Sequence, residues 1–241
     1  MFESTAEVSP LVETHVTAWR SAYAPPPACS DIEGSLQGFA LQRRVLHRKE
    51  YLFRAGQMRH GLFLVRSGFF KTAIISEDGR EKITGFHIRG DLIGLDSLCT
   101  KAHGCDAVAL DVGEVVELPC SEIGARLPQF QEQLTAALSR TIRRDWDWML
   151  AISTLSAEQR VVTFLLDLAK RQAALGYDPH RLVLHATRAE LGNFLALQLE
   201  TVTRALSHLD AIGLIKVDRR EIHIQDADTL EAMIGNRRKL H

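Results

Sequence analysis

The sequence predicts an α+β chain: an antiparallel, jelly-roll-like β-roll first, then one long helix, then a winged helix-turn-helix. Three stretches carry this expectation. Gly56, Gly68, Gly79 and Gly90 fall at near-regular steps and punctuate short apolar runs, the texture of a small antiparallel roll. Pro128 to Ser153 holds a long helical stripe of apolar side chains. Thr187 to Leu206 reads as two short helices joined by a tight turn, and a hairpin follows.

Composition bounds the function classes. The chain has 241 residues and 46% hydrophobic content, enough for one large or two small cores. Its formal net charge is −1, so any nucleic-acid binding must rest on locally placed charge. No apolar run reaches the roughly 18 residues of a membrane span. The N-terminus carries Glu3, Glu7 and Glu13 and lacks the basic start and apolar core of a secretory signal. Cys29, Cys99, Cys105 and Cys120 are scattered without zinc-pair spacing. They are expected to be reduced thiols of a cytoplasmic protein.

In chain order, residues 1–35 read as an extension. Leu11, Val12, Val16 and Trp19 line one helix face, Pro25-Pro26-Pro27 stops it, and a short helix is expected near Asp31 to Phe39. Residues 36–127 are the expected sensor roll. Its strands are sought in Leu62–Val65, Phe69–Ile75, Ile83–Ile88 and Val108–Leu118, and Ser121 suits the cap of a short helix. Pro128 fits the first position of the long helix, 128–153. Phe130, Leu134, Leu138, Ile142, Trp146, Met149 and Ile152 form its stripe. A helix this long leaving a roll needs a partner, and a second copy of itself is the simplest one. Leu134, Leu138, Ile142, Asp145, Met149 and Ile152 are assigned to that pairing. Asp145 either enters the seam, where two like charges weaken pairing, or stays exposed beside Arg144.

Residues 154–228 form the expected winged helix-turn-helix and 229–241 a tail. A helix from Ala157 to Leu175 turns Val161, Phe164, Leu165, Leu168 and Ala169 to one face, and Gly176 ends it. Leu182 to His185 is a strand. Thr187 and Glu190 stand at capping-box spacing, and Leu191, Phe194 and Leu195 follow on one apolar face. The second helix starts near Gln198, with Leu199, Val202, Leu206 and Leu209 expected inward. Glu200, Thr203, Arg204 and Ser207 then share the outward face. Such a face fits a major groove, where Arg bonds guanine N7 and O6 and Glu accepts from cytosine N4. Thr187, Arg188 and Gln198 join it from the helix starts. Lys216, Arg219 and Arg220 on the hairpin place positive charge where phosphates lie. The alternative is an ordinary helix pair with a solvated polar face.

The order roll, long helix, winged helix, with Leu199-Glu200-Thr201-Val202-Thr203-Arg204, resembles the Crp/Fnr family of bacterial transcription regulators over roughly residues 36 to 226. Lys82 to Gly94 and Arg188 to Leu195 resemble its Fnr branch. The resemblance implies a homodimer on double-stranded DNA at a TTGAT-like palindrome, with Glu200 and Arg204 reading a TGA-type core. It also implies activation through contact with RNA polymerase, for which the turn Ser76 to Arg80 is a candidate. Thr203 stands where the branch has Ser, Ala196 where the turn more often has Gly, and Gln198 where Ser or Thr usually caps.

The signal is where the resemblance departs. Fnr itself holds an iron–sulfur cluster on several closely spaced N-terminal cysteines plus one in the roll, whereas Cys29 alone precedes the roll here. Gly94-Leu95-Asp96-Ser97 and Gly104-Cys105-Asp106-Ala107 lack the Arg that pairs the phosphate of cyclic AMP. Neither cofactor is expected, and the roll is left open to another small ligand. Cys99 and Cys105 flank Lys101 and His103, which would favour redox-reactive thiolates if exposed; burial is the competing reading. His47, His60, His87 and His103 lack metal-ligand spacing. A cupin-like metalloenzyme with a helical assembly domain is the alternative function, but it would need a His-x-His pair that the sequence lacks. No nucleophile–base set is visible, so a non-enzyme is expected.

Overall fold

A computed structural model of the chain describes residues 36, 39, 41–119, 123, 124 and 128–235. The expected N-terminal helix, the proline link, the Ser121 cap, Cys29 and Cys120 lie outside the described residues, as does the Asp31–Phe39 helix apart from Leu36 and Phe39.

The glycine-punctuated region folds as β1 (Arg43–Leu46), β2 (Tyr51–Phe53), β3 (Leu62–Ser67), β4 (Phe70–Ile75), β5 (Glu81–His87), β6 (Leu92–Ile93), β7 (Asp106–Ala109) and β8 (Gly113–Leu118). These make two four-stranded antiparallel sheets, β1-β8-β3-β6 and β2-β7-β4-β5. Leu46, Phe53, Phe63, Val65, Phe70, Ile93 and Val115 fill the space between them. All four rhythmic glycines have positive φ, from 80° to 89°. At Gly68 the reason is also steric, because an added Cβ would lie 2.5 Å from the Gly113 Cα on the neighbouring strand. The expected run Val108–Leu118 is two strands separated by a turn, and β1, β2 and β6 are too short to show as separate runs.

Helix α1 (Pro128–Thr154) leaves the roll. Its predicted single stripe is in fact two faces. Phe130, Leu134 and Ala137 are buried against Leu62, Leu64, Val116 and Leu118 of the roll. One face further along, Trp148 and Ala151 are buried in a cluster with Phe86 of β5. Ile142, Trp146, Met149 and Leu150 are exposed at 47%, 62%, 65% and 44%. Leu134 is therefore corrected from a pairing residue to a core residue of its own protomer. The sequence pattern merged the two faces because both have helical spacing.

Helix α2 (Ala157–Ala174) starts on a complete capping box of Ser156 and Gln159 and buries Val161, Phe164, Leu165, Leu168 and Ala169 as expected. Strand β9 (Arg181–Val183) joins the hairpin β10 (Ile215–Asp218) and β11 (Glu221–Ile224) in the order β10-β11-β9. Between them lie α3 (Arg188–Leu195) and α4 (Leu199–Ala211). A last helix, α5 (Ala227–Gly235), runs into the stretch read as a tail. Asp226 caps it by accepting from the Thr229 N–H at 2.9 Å. Leu230 is fully buried in the same cluster as α2.

The α3–α4 turn carries local strain. Ala196 sits at φ 54°, ψ 47°, the left-handed region. Gly192 lets the chain fold back, since a Cβ there would meet the Leu197 carbonyl oxygen at 2.7 Å. Ala196→Gly is expected to raise stability by roughly 1 kcal/mol, because glycine relieves the Cβ clash that L residues suffer there. Urea unfolding measures it; an unchanged or lower midpoint would contradict the strained turn.

Candidate nucleic-acid interface

Helix α3 is set by its capping box. The Glu190 N–H donates to Thr187 Oγ1 at 3.1 Å, and the Thr187 N–H donates to Glu190 Oε2 at 2.8 Å. Burial alone would raise the Glu190 carboxyl, but the Thr187 donors and Lys71 hold it below its ordinary value. Gln198 stands at the cap of helix α4, and its side chain makes no cap bond.

The faces of α4 follow from its apolar spacing. Val202, Ala205, Leu206 and Leu209 are buried, and this anchors the helix in the core. Glu200, Arg204 and Ser207 are exposed on the other side. Leu199 departs from the expectation: it is 44% exposed, because the helix begins there and little of the core reaches it. Thr203 is half-buried and donates its hydroxyl to the Leu199 carbonyl at 2.9 Å. An Arg204 guanidinium nitrogen lies 3.4 Å from Thr201 Oγ1, a contact too long to hold the side chain back.

The hairpin turn is Arg219-Arg220, between the paired Asp218 and Glu221. Arg219 takes φ 55°, and both arginines are exposed. Lys216 is exposed too, but its ammonium lies 3.5 Å from Asp210 of α4. Thr187 is exposed and Arg188 half-buried at the start of α3. The structure thus brings the sequence-predicted set onto α3, α4 and the wing, with Glu200, Arg204, Arg219 and Arg220 open to solvent.

Sequence reading missed what holds this unit against the roll. Phe86 of β5, Trp148 of α1, Phe164 of α2 and Phe194 of α3 form an edge-to-face cluster, with centroids 4.9–5.2 Å from Phe194 to Trp148 and Phe86. Beside it lies a charged cluster. Arg144 reaches the buried Asp167 at 3.3 Å, and Arg171 pairs with Asp91 while donating to the Phe86 carbonyl at 3.2 Å. Burial would raise the Asp91 carboxyl, yet Arg171 and Arg144 hold it low. The sequence signal was Arg144, Asp167 and Arg171 on otherwise apolar helix faces.

His87 borders this cluster. Burial lowers its imidazole to about 4, against the opposing pull of Asp91 and with help from Arg144 and Arg171. The unfolded chain takes up this proton near its ordinary value, the folded chain only near 4. Between those values acid favours the unfolded state, so stability falls as pH drops. The loss attributable to this group approaches about 3 kcal/mol at pH 4. His87→Gln should flatten that part of the pH–stability curve between pH 6.5 and 4; an unaltered slope would contradict the assignment.

Of the two candidate redox thiols, Cys105 takes the competing, buried reading. It is buried, and burial with Asp96 and Asp106 nearby pushes its thiol up to about 12. The neighbouring His103 is 3% exposed and stacks on Phe53 at 3.6 Å, so it offers no open cation. Cys99 is exposed.

Comparison with known proteins agrees with this geometry. A model of the Crp-like helix-turn-helix domain matches residues 159–233, and a model of the cyclic nucleotide-binding domain matches residues 43–127. The chain is 38% identical over 204 residues to the transcriptional activator protein anr of Pseudomonas aeruginosa, covering 83% of this chain and 84% of that one. It is 33% identical over 202 residues to the fumarate and nitrate reduction regulatory protein of Salmonella typhimurium, covering 83% and 81%. The structure of FixK2 from Bradyrhizobium japonicum superposes with a TM-score of 0.74 at 26% identity, covering 81% of this chain and 98% of that one. The match of a helix-turn-helix model across the C-terminal helices sets aside the cupin-like metalloenzyme. With roll, long helix and reading head in one order and with these relatives, the chain belongs to the Crp/Fnr family of DNA-binding transcription regulators.

Proposed function

We propose that the protein binds a TTGAT-like palindrome as a homodimer and activates transcription there, in the cytoplasm. The observation that carries the reading is the two-sided α4: one face buries Val202, Ala205, Leu206 and Leu209, and the other presents Glu200 and Arg204 to solvent. Arg204 is suited to guanine N7 and O6, Glu200 to cytosine N4, and Arg219 and Arg220 to the flanking phosphates. Ser207, Gln198, Thr187 and Arg188 supply further contacts, and Lys216 is in reach once it leaves Asp210. The Thr203 hydroxyl is engaged along the helix, so its methyl is the group free to meet the outer base.

The dimer reading rests on α1. Leu138, Ile142, Asp145, Met149 and Ile152 fall at alternating steps of four and three, the spacing of a coiled-coil seam. Asp145 lies within it, and Arg144 is turned away to Asp167. Partial desolvation raises the Asp145 carboxyl although its surface stays open, with Arg144 pulling the other way. Two such carboxylates meeting across the axis oppose pairing. Asp145→Ala should tighten the dimer roughly tenfold, the effect of removing about 1.4 kcal/mol of repulsion. Sedimentation equilibrium reads it; equal or weaker association would remove Asp145 from the seam.

The exposed turn Ser76–Arg80, with Ile74 and Ile75 open beside it, is the proposed RNA polymerase contact. The roll does not suit a cyclic nucleotide: the Asp96 carboxylate already accepts the Gly104 N–H at 2.7 Å, an anion where a phosphate would need donors. The proposed units are 36–127 as sensor, 128–153 as dimer helix and 154–228 as reading head. Fluorescence anisotropy with an intact palindrome and with each half scrambled tests the function. Tight binding is expected only for the intact site, and equal binding to all three would overturn the reading.

A further inference from the structure

Helix α3 is gripped at both ends by lysines from adjacent strands of the roll. At its start, Lys71 of β4 lies 3.2 Å from Glu190, the carboxylate that closes the capping box, and 2.9 Å from Glu81. Lys71 is buried, a position that desolvates the ammonium, yet the two carboxylates raise its affinity for the proton. At the other end, Lys82 of β5 donates to the carbonyls of Asn193 and Phe194. These belong to the last turn of α3, whose carbonyls carry partial negative charge; the Asn193 carbonyl otherwise accepts a long 3.4 Å bond from the Ala196 N–H.

Between the lysines the contact has strand-like form. Strand β5 is the edge of its sheet. The Asn193 side chain pairs with that edge in both directions: Oδ1 accepts the Ile83 N–H at 2.7 Å, and Nδ2 donates to the Glu81 carbonyl at 2.8 Å. An amide used this way continues the ladder by one rung. Directed hydrogen bonds fix an angle, whereas an apolar contact tolerates rotation and sliding. The angle of α3 sets that of α4, because the turn between them is tight and Leu197 donates back to the Gly192 carbonyl at 2.8 Å.

We propose that Lys82, Asn193 and Lys71 are positioning residues for DNA binding. They lock α3 to the roll's edge strand and thereby fix the orientation in which α4 of each protomer meets its half-site. The grip leaves the outward face of α4 open, so the locked arrangement is the DNA-competent one. The inference rests on the palindrome reading above. Two reading heads held at fixed angles demand a fixed half-site separation, about one helical turn of DNA.

The test uses the full-length chain and a series of palindromes whose central spacer is one base pair shorter, unchanged or one longer. Wild-type affinity should peak sharply at one spacing. Lys82→Met keeps the stem and removes the donor. It should lose roughly five- to tenfold at the preferred spacing while losing less at the others, so the profile flattens. Lys82→Arg should restore the peak. Lys71→Met, at the opposite end of α3, should flatten the profile independently, which covers a Lys82 variant that fails to fold. An unchanged profile in both Met variants, an equal loss at every spacing, or tighter binding would overturn the proposal. Failure of the wild-type protein to prefer any palindrome would instead overturn the palindrome reading and this inference with it.

Discussion

Phe194→Ala is expected to destabilise the protein by about 3–5 kcal/mol, the range for removing a buried aromatic ring. Phe194 is 4% exposed and touches Phe86, Trp148 and Phe164 through edge-to-face contacts. Those rings come from the roll, the long helix and the first helix of the reading head. Loss of the ring opens a cavity where all three meet, and the neighbours cannot collapse into it without moving an entire element. Chemical denaturation should therefore show more than a lower midpoint. The reading head and the roll should unfold in separate steps in the variant. A cost below about 1 kcal/mol would mean that the aromatic cluster does not join the parts.

Arg204→Ala is expected to reduce discrimination between a TTGAT-like palindrome and scrambled DNA by about 1–3 kcal/mol per half-site, the value of one good bidentate base contact. Stability should change little, since the side chain is exposed and its contact to Thr201 is long, at 3.4 Å. Affinity for scrambled DNA should fall by much less, because sequence-independent binding depends on phosphate contacts, the role proposed above for Arg219 and Arg220. Equal losses on both sequences would make Arg204 a phosphate contact and move base reading elsewhere.

The periodic parts of the fold were legible in the sequence. The glycines marked the turns of the roll, and the Thr187–Glu190 box and the spacing of Val202, Leu206 and Leu209 located α3 and α4 and oriented α4. These signals are local: a cap, a period, a turn residue. What the sequence did not show depends on contacts far along the chain. Lys82 and Asn193 lie 111 positions apart, and Arg171 and Asp91 80 apart. No local pattern joins such pairs. The long helix misled for a related reason. Leu134 and Ile142 share helical spacing, yet the roll covers the first and leaves the second open. Helix α5 was missed because nine residues with Leu230 as the buried anchor give too short a period to stand out.

In the proposed complex, α4 enters the major groove and reads guanine through Arg204. Dimethyl sulfate protection of guanine N7 on the palindrome tests it most directly. The wild-type protein should protect the core guanine of both half-sites, related by the two-fold axis. Arg204→Ala, at a concentration that still occupies the site, should leave both open to methylation. Protection unchanged in Arg204→Ala, or absent with the wild-type protein bound, would mean that Arg204 does not read guanine.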